Sequence, residues 1–330
     1  MSPPGRAAHA LDLDRLLERC HEHTWRLSDL DFSRPPQALP GAQEDAVVQY
    51  LTDFVYIERM AGSFFLALQD KVGHPVVRQI LQTFVIDETR HAHAMQLLAD
   101  HFDRRKLRIY APNPWIVRLV QRLEEWIRVA PPDAAATAVT TGEICFDVAY
   151  LKPLDEHLAD PTAREVLRLV HRDESRHLAI DYWLLEWFGT ADYQERHPPE
   201  PFDLRAEAEL MVRYVRAFSV GFPFMRQVFF GTNARLDQNG ARLRDAAKRI
   251  QLAMTRPGIR GRPFVRFYGA VQAIFDSPVL GPVVRRGFAT VLGADPTLFK
   301  TQYTDAERAH VEGLSAHELA VDTLAAFYPE

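Results

Sequence analysis

The sequence predicts an all-α protein built on a four-helix bundle with one long crossover and additional helices after it. Three observations lead there. Apolar residues recur at spacings of three and four over long stretches. No alternating strand pattern of useful length occurs. Two long helix pairs are related by an internal repeat. Residues 44–71 form the first long helix, with Leu51, Phe54, Val55, Phe65 and Leu68 on its apolar spacing. It stops near Gly73, and His74-Pro75 opens the second, because proline fits a first helical turn. The second helix runs to about Asp103. Residues 104–132 form the crossover, with a helix of its own at 114–129. The third long helix covers 133–158. Asp160-Pro161 reads as cap and first turn of the fourth, which ends at Gly189.

The repeat is specific. VVRQILQTFVIDETRHAHAMQLL (76–98) aligns with AREVLRLVHRDESRHLAIDYWLL (162–184) at an offset of 86 residues, and Glu58 aligns with Glu143 at an offset of 85. Two repeated pairs joined by a long connection make a bundle of the one-crossover type. Residues 1–43 are expected as an N-terminal extension and 44–189 as the bundle. The turn-rich stretch 190–201 is the boundary, and 202–330 supplies further helices near 202–230, 237–252, 263–276, 279–292 and 304–326. These are expected to pack on the bundle and help close a pocket.

Length and composition set outer limits. A chain of 330 residues with 47% hydrophobic and 25% charged residues can bury a large core without staples. Two cysteines, Cys20 and Cys145, make no disulfide framework and fit a reducing cytoplasm. The first residues lack an apolar run of the secretory kind, and no stretch reaches the length of a membrane span. Charge is uneven. Residues 200–300 carry 16 Lys/Arg against 8 Asp/Glu, whereas residues 1–199 carry 22 against 30. The basic segment includes Arg213, Arg216, Arg226, Arg242, Arg244, Arg260, Arg262 and Arg266. It suits either a solvated face or an acidic partner. No motif that reads nucleic acid accompanies it. The sequence leaves monomer and homodimer open.

Each half of the repeat supplies one lone glutamate and one Glu-x-x-His. Three residues of helix turn through about 300°, so the Glu and His of each motif share one face. Glu58, Glu88, His91, Glu143, Glu174 and His177 therefore converge inside the bundle. That many buried carboxylates would be prohibitive unpaired, and two divalent cations resolve the charge. Nitrogen and oxygen donors without thiolate suit two iron ions, with manganese or a mixed iron–manganese pair also compatible. Two further Glu-x-x-His spacings, Glu18…His21 and Glu307…His310, lie outside the repeat and are not expected to bind. Asp87 and Asp173, each preceding a ligand glutamate, are placed to reach the opposite half's histidine. Asp181 is a further candidate for that role, and Arg90 and Arg176 are expected to anchor such acids. Phe54, Ala61, Gly62, Phe65, Thr140, Phe146, Asp147 and Tyr150 lie a turn or two from the ligands and are expected to line the reaction cavity. The alternatives are close helix packing at Ala61 and Gly62 and a packed side chain at Tyr150.

The pattern E…D-E-x-R-H…E…D-E-x-R-H resembles the ferritin-like di-iron carboxylate superfamily over residues 44–189. That group includes acyl-carrier desaturases, multicomponent monooxygenases, the small subunit of class I ribonucleotide reductase, rubrerythrins and p-aminobenzoate N-oxygenases. Chain length and stand-alone architecture look most like the N-oxygenase branch. That branch has an extra ligand histidine four residues ahead of its last Glu, where this chain has Val170. The nearest histidine, His171, is either an additional ligand or a supporting or surface side chain, the latter favoured. The resemblance implies an oxidase or oxygenase that uses O2 to hydroxylate, N-oxygenate or desaturate a small or carrier-tethered substrate. No reductase motif is present, so electrons come from an external donor. The alternative is a non-oxygenase di-metal protein: a rubrerythrin-like peroxidase, an iron store or a radical-generating subunit.

Overall fold

The computed structural model describes residues 11–106, 111–196, 204–232, 236–237, 239–257 and 259–325. The tip of the N-terminal extension, a short part of the crossover and most of the turn-rich boundary after Arg196 lie outside the described residues. Among those described there is no strand. The helices are α1 (Leu13–Glu22), α2 (Gly41–Gln69), α3 (Pro75–Phe102), α4 (Pro114–Val129), α5 (Pro132–Phe146), α6 (Lys152–His157), α7 (Pro161–Trp187), α8 (Ala191–Arg196), α9 (Leu204–Phe224), α10 (Ala241–Thr255), α11 (Pro263–Asp276), α12 (Gly281–Leu292), α13 (Asp305–Gly313) and α14 (Ala316–Ala325).

Local chemistry sets the boundaries. Proline occupies the first turn of α3, α4, α5 and α7, where its missing N–H costs nothing. Asn113 caps α4 by accepting from the Trp115 amide (3.0 Å), and Asp160 caps α7 by accepting from Ala163 (3.0 Å). One boundary departs from expectation. The third long helix is interrupted by a π-helical segment, Asp147–Leu151, before α6 continues it. A second π segment, Met225–Thr232, follows α9. The Tyr150 hydroxyl, in the first, donates to the Val228 carbonyl, in the second (3.1 Å). The expected last helix is split into α13 and α14.

Helix α2 packs on α3, α3 on α7, α7 on α5 and α5 on α2, so the four close a ring. Helix α4 crosses beside α2 and α9, α10 lies on α5 and its π continuation, and α14 lies along α7. The extension before α2 contains a helix, α1, which packs on α3 and buries Leu16 and Cys20. The apolar interior falls into two clusters. One holds Val47–Ile57 of α2 with Ala92–Phe102 of α3 and Ala163–Val170 of α7. The other holds Phe65–Val72, Val77–Phe84 and Ala179–Phe188. Between them every long helix changes to ionisable residues at one level: Glu58, Asp87–His91, Glu143 and Asp173–His177.

Candidate metal centre

That polar layer brings the six sequence-derived ligands together. Glu58, Glu88, His91 and Glu174 each offer a ligand atom, and these atoms lie within 4.8 Å of one another. So do those of Glu88, Glu143, Glu174 and His177. All six side chains are buried, and each group could hold a metal ion. Glu88 and Glu174 belong to both groups. His91 Nδ1 is 3.1 Å from Glu174 Oε1, and His177 Nδ1 is 3.1 Å from both Glu88 Oε1 and Glu174 Oε2. The Nδ1 atoms thus face the carboxylates, one from each half of the repeat.

The outer nitrogens face away, each toward an aspartate of the opposite half. His91 Nε2 donates to Asp173 Oδ2 (3.2 Å), and His177 Nε2 lies 3.5 Å from Asp87 Oδ2. Two buried arginines join these acids. Arg176 donates to Asp87 (3.1 Å) and Asp173 (2.8 Å), and Arg90 donates to Asp87 and Asp173. The four charges form a closed ring behind the histidines that gives His91 Nε2 a fixed carboxylate partner and sets His177 Nε2 near another, an arrangement that would leave each Nδ1 to a bound cation. Trp25 completes the ring. Its Nε1–H donates to Asp173 Oδ2 (2.7 Å), and Arg90 lies over its ring at 5.0 Å. Trp25 was not legible as part of the site. It lies 148 residues from Asp173, in a polar stretch with no helical period.

The donor set fits cations better than protons. Glu58 Oε1 and both oxygens of Glu88 are buried without a hydrogen bond of acceptable geometry among the described residues, a condition that costs a full desolvation penalty unless another group satisfies them. Without a cation, burial and then Glu88 push the Glu58 carboxyl well above the usual carboxylate range; burial, Glu174 and Glu88 do the same to Glu143. Burial opposes charge on His91 and His177, but carboxylates around each outweigh it and raise both. Protons therefore occupy the metal-free site at neutral pH. A cation must displace them, so metal uptake is expected to release protons, and apparent affinity to strengthen as pH rises and fall off in acid. Titrating the metal-free protein with Fe(II) in a weakly buffered anaerobic solution checks this; uptake with no proton release would contradict it.

The remaining predicted residues take varied places. Asp181 is buried, with neither carboxylate oxygen hydrogen-bonded among the described residues, and burial with the nearby Glu174 and Glu88 raises its pKa well above normal; it is in neither ligand group. Gly62 sits so close to α3 that a Cβ would lie 3.2 Å from that of Glu88, so its small size lets the two ligand helices approach. Ala61 is buried beside it, and Thr140 bonds back to Ala136. Phe65 meets His177 edge-on at 5.1 Å. Phe54 stacks on Tyr150, which also stacks on Tyr50 and is wholly buried. Phe146 packs edge-on against Tyr150 and Phe229. Glu18 is exposed and Glu307 half-buried, and they bond to Arg15 and to Thr304 and Lys248.

His171 is in neither ligand group. Its Nδ1 is 2.8 Å from Asp147 Oδ1, and both line a cavity of about 1130 Å³ on the α5–α7 side of the ring. Ser175, Leu178 and Tyr182 of α7 form its inner wall, with Leu252 of α10 and Leu319 of α14 opposite. His171→Ala is accordingly expected to retain the full metal content of the wild type by elemental analysis; loss of half or more would make His171 a ligand. Of the arginines in the basic segment, Arg213, Arg226, Arg242, Arg244 and Arg262 bond to groups of the protein itself, while Arg216, Arg260 and Arg266 are exposed. No helix among the described residues is long and apolar enough to cross a membrane. No family model matches the chain and no curated protein matches it, so the metal centre rests on the geometry alone.

Proposed function

We propose that the chain is a ferritin-like di-iron oxidoreductase that uses dioxygen to oxidise an organic substrate. The observation that carries this reading is the sharing of Glu88 and Glu174 between two buried ligand groups. Glu58 and His91 would hold one ion and Glu143 and His177 the other, with Glu88 and Glu174 within reach of both. Such a donor set suits iron or manganese. Bound iron would supply the electrons and open coordination that dioxygen reduction needs.

The protein's own contribution is positional. The two apolar clusters keep water from the ligand layer, which strengthens electrostatic interactions inside it. Asp173 and Asp87 fix the histidine rings. The cavity beside α7, about 1130 Å³ and lined largely by charged side chains, exceeds the roughly 300–1,000 Å³ typical of a site for a small organic molecule and has room for a polar one, with the His171–Asp147 pair on its wall. Electrons come from an external donor.

Loading the metal-free protein anaerobically with Fe(II) and mixing it with oxygen tests the proposal. Two irons per chain, rapid oxygen consumption and faster turnover with an added organic substrate are expected. Oxygen uptake no faster than that of free Fe(II) would refute it. Retention of many ferric ions per chain would instead support iron storage.

A further inference from the structure

We propose that the α11–α12 hairpin docks the protein on an anionic lipid surface, independently of the metal centre. The inner face of the hairpin is already satisfied. Phe275 and Phe288 pack against each other at 5.2 Å and against Phe299, and Val265, Ala289 and Leu292 are buried. The outer face is apolar as well, and none of the described residues covers it. Phe267 (54% exposed) and Ile274 (45%) share one side of α11. The turn presents Val279 (78%) and Leu280 (58%), and α12 continues with Val283 (73%). Exposure this high at a turn describes a projecting tip rather than a groove, and a contiguous exposed patch of this kind marks an interaction surface.

Charge selects the occupant. Between Arg260 and Leu292 the chain has five arginines and one acid, Asp276. Asp276 is turned to the Thr301 amide and hydroxyl. Arg260, Arg266 and Arg286 are exposed, the last two at the edges of the apolar face, one turn from Ala270 and Val283. A basic rim around an apolar tip matches an anionic membrane, where apolar side chains enter the interface and arginines meet headgroups. A second copy fits less well, because a two-fold contact through this face would set arginines against arginines. With no helix among the described residues both long and apolar enough to span, the hairpin would lie in one leaflet to a depth of about 5–10 Å.

Flotation of the full chain with vesicles tests this. With phosphatidylcholine containing one third phosphatidylglycerol, co-flotation is expected, at least tenfold stronger than with phosphatidylcholine alone and weakened by salt. Val279→Glu combined with Val283→Glu should lower binding more than tenfold without changing circular dichroism. Arg266→Glu combined with Arg286→Glu should remove the preference for anionic vesicles. In Leu280→Trp, tryptophan emission should shift to the blue when vesicles are added. The proposal falls if the wild type floats with neither vesicle, or if the glutamate variant floats as well as the wild type. It also falls if sedimentation velocity shows a dimer that the glutamate variant dissociates, which would assign the face to a second copy.

Discussion

Replacing Glu88 and Glu174 together by alanine is expected to abolish metal binding while leaving the bundle folded. These two residues are the only ones common to both ligand groups, so their loss leaves each position with one glutamate and one histidine. Two donors do not compete with solvent for a divalent ion in a site built for more. Elemental analysis should fall from two ions per chain to background, whereas Glu58→Ala alone should remove about one. Helicity should be retained, because the apolar clusters above and below the layer do not depend on the ligands. Removing Glu88, whose two buried oxygens lack a good hydrogen bond, should by itself raise the stability of the metal-free form, whereas Glu174 is held by His177. A double variant that still carries two ions would sink the assignment. Glu18→Ala and Glu307→Ala, at the unpaired Glu-x-x-His spacings, should change nothing.

Asp173→Leu is expected to produce the largest loss of stability of any single substitution near the site, about 3–5 kcal/mol, because it leaves the buried Arg90 and Arg176 to share Asp87 and takes the acceptor from His91 Nε2. Asp173 receives hydrogen bonds from Trp25, Arg90, His91 and Arg176, and Arg176 is wholly buried. Burial works against the Asp173 carboxylate, but His91 and Arg176, followed by Trp25, outweigh it and hold its pKa well below the usual range. The sign follows from that depression. The stabilisation is present above the ordinary aspartate pKa and is lost as pH falls through the depressed one, so the deficit of the variant should narrow only in strong acid. Urea unfolding at neutral and acidic pH measures this. Metal affinity should drop by about 10- to 100-fold as well, since His91 loses the partner that orients it. Asp173→Asn keeps the shape and should lie between. A destabilisation near 0.5 kcal/mol or less would mean that Asp87 suffices for both arginines.

The candidate donor cluster was legible because it is written in local geometry. A Glu and a His three residues apart share a helix face whatever surrounds them, and the 86-residue repeat shows the motif twice. Helix boundaries were legible for the same reason: Pro75, Pro114, Pro132 and Pro161 each begin a helix, and Asn113 and Asp160 cap theirs. The aspartates behind the histidines could be anticipated from the chemistry of metal-bound imidazole, although only the packing of α3 on α7 decides which histidine each one meets.

Other features exist only in three dimensions. The π segment at Asp147–Leu151 shifts the helical phase just after Glu143, so residues from Asp147 onward do not point where an uninterrupted helix would send them. Asp147 turns to His171 and the large cavity, and Tyr150 turns into a stack with Tyr50 and Phe54. The one local mark of that interruption is Pro153, which has no N–H for the Ala149 carbonyl. The recruitment of Trp25, the pairing of Arg90 and Arg176 across the repeat, and the cavity between α7, α10 and α14 all depend on contacts between residues far apart in sequence. By itself the sequence determined the all-helical class, the chemistry of the donors and their sharing of helix faces, because backbone periodicity repeats every few residues. Which donors meet, what holds them from behind and where an apolar face stays uncovered were decided by the packing of whole helices, whose contacts have no period to read.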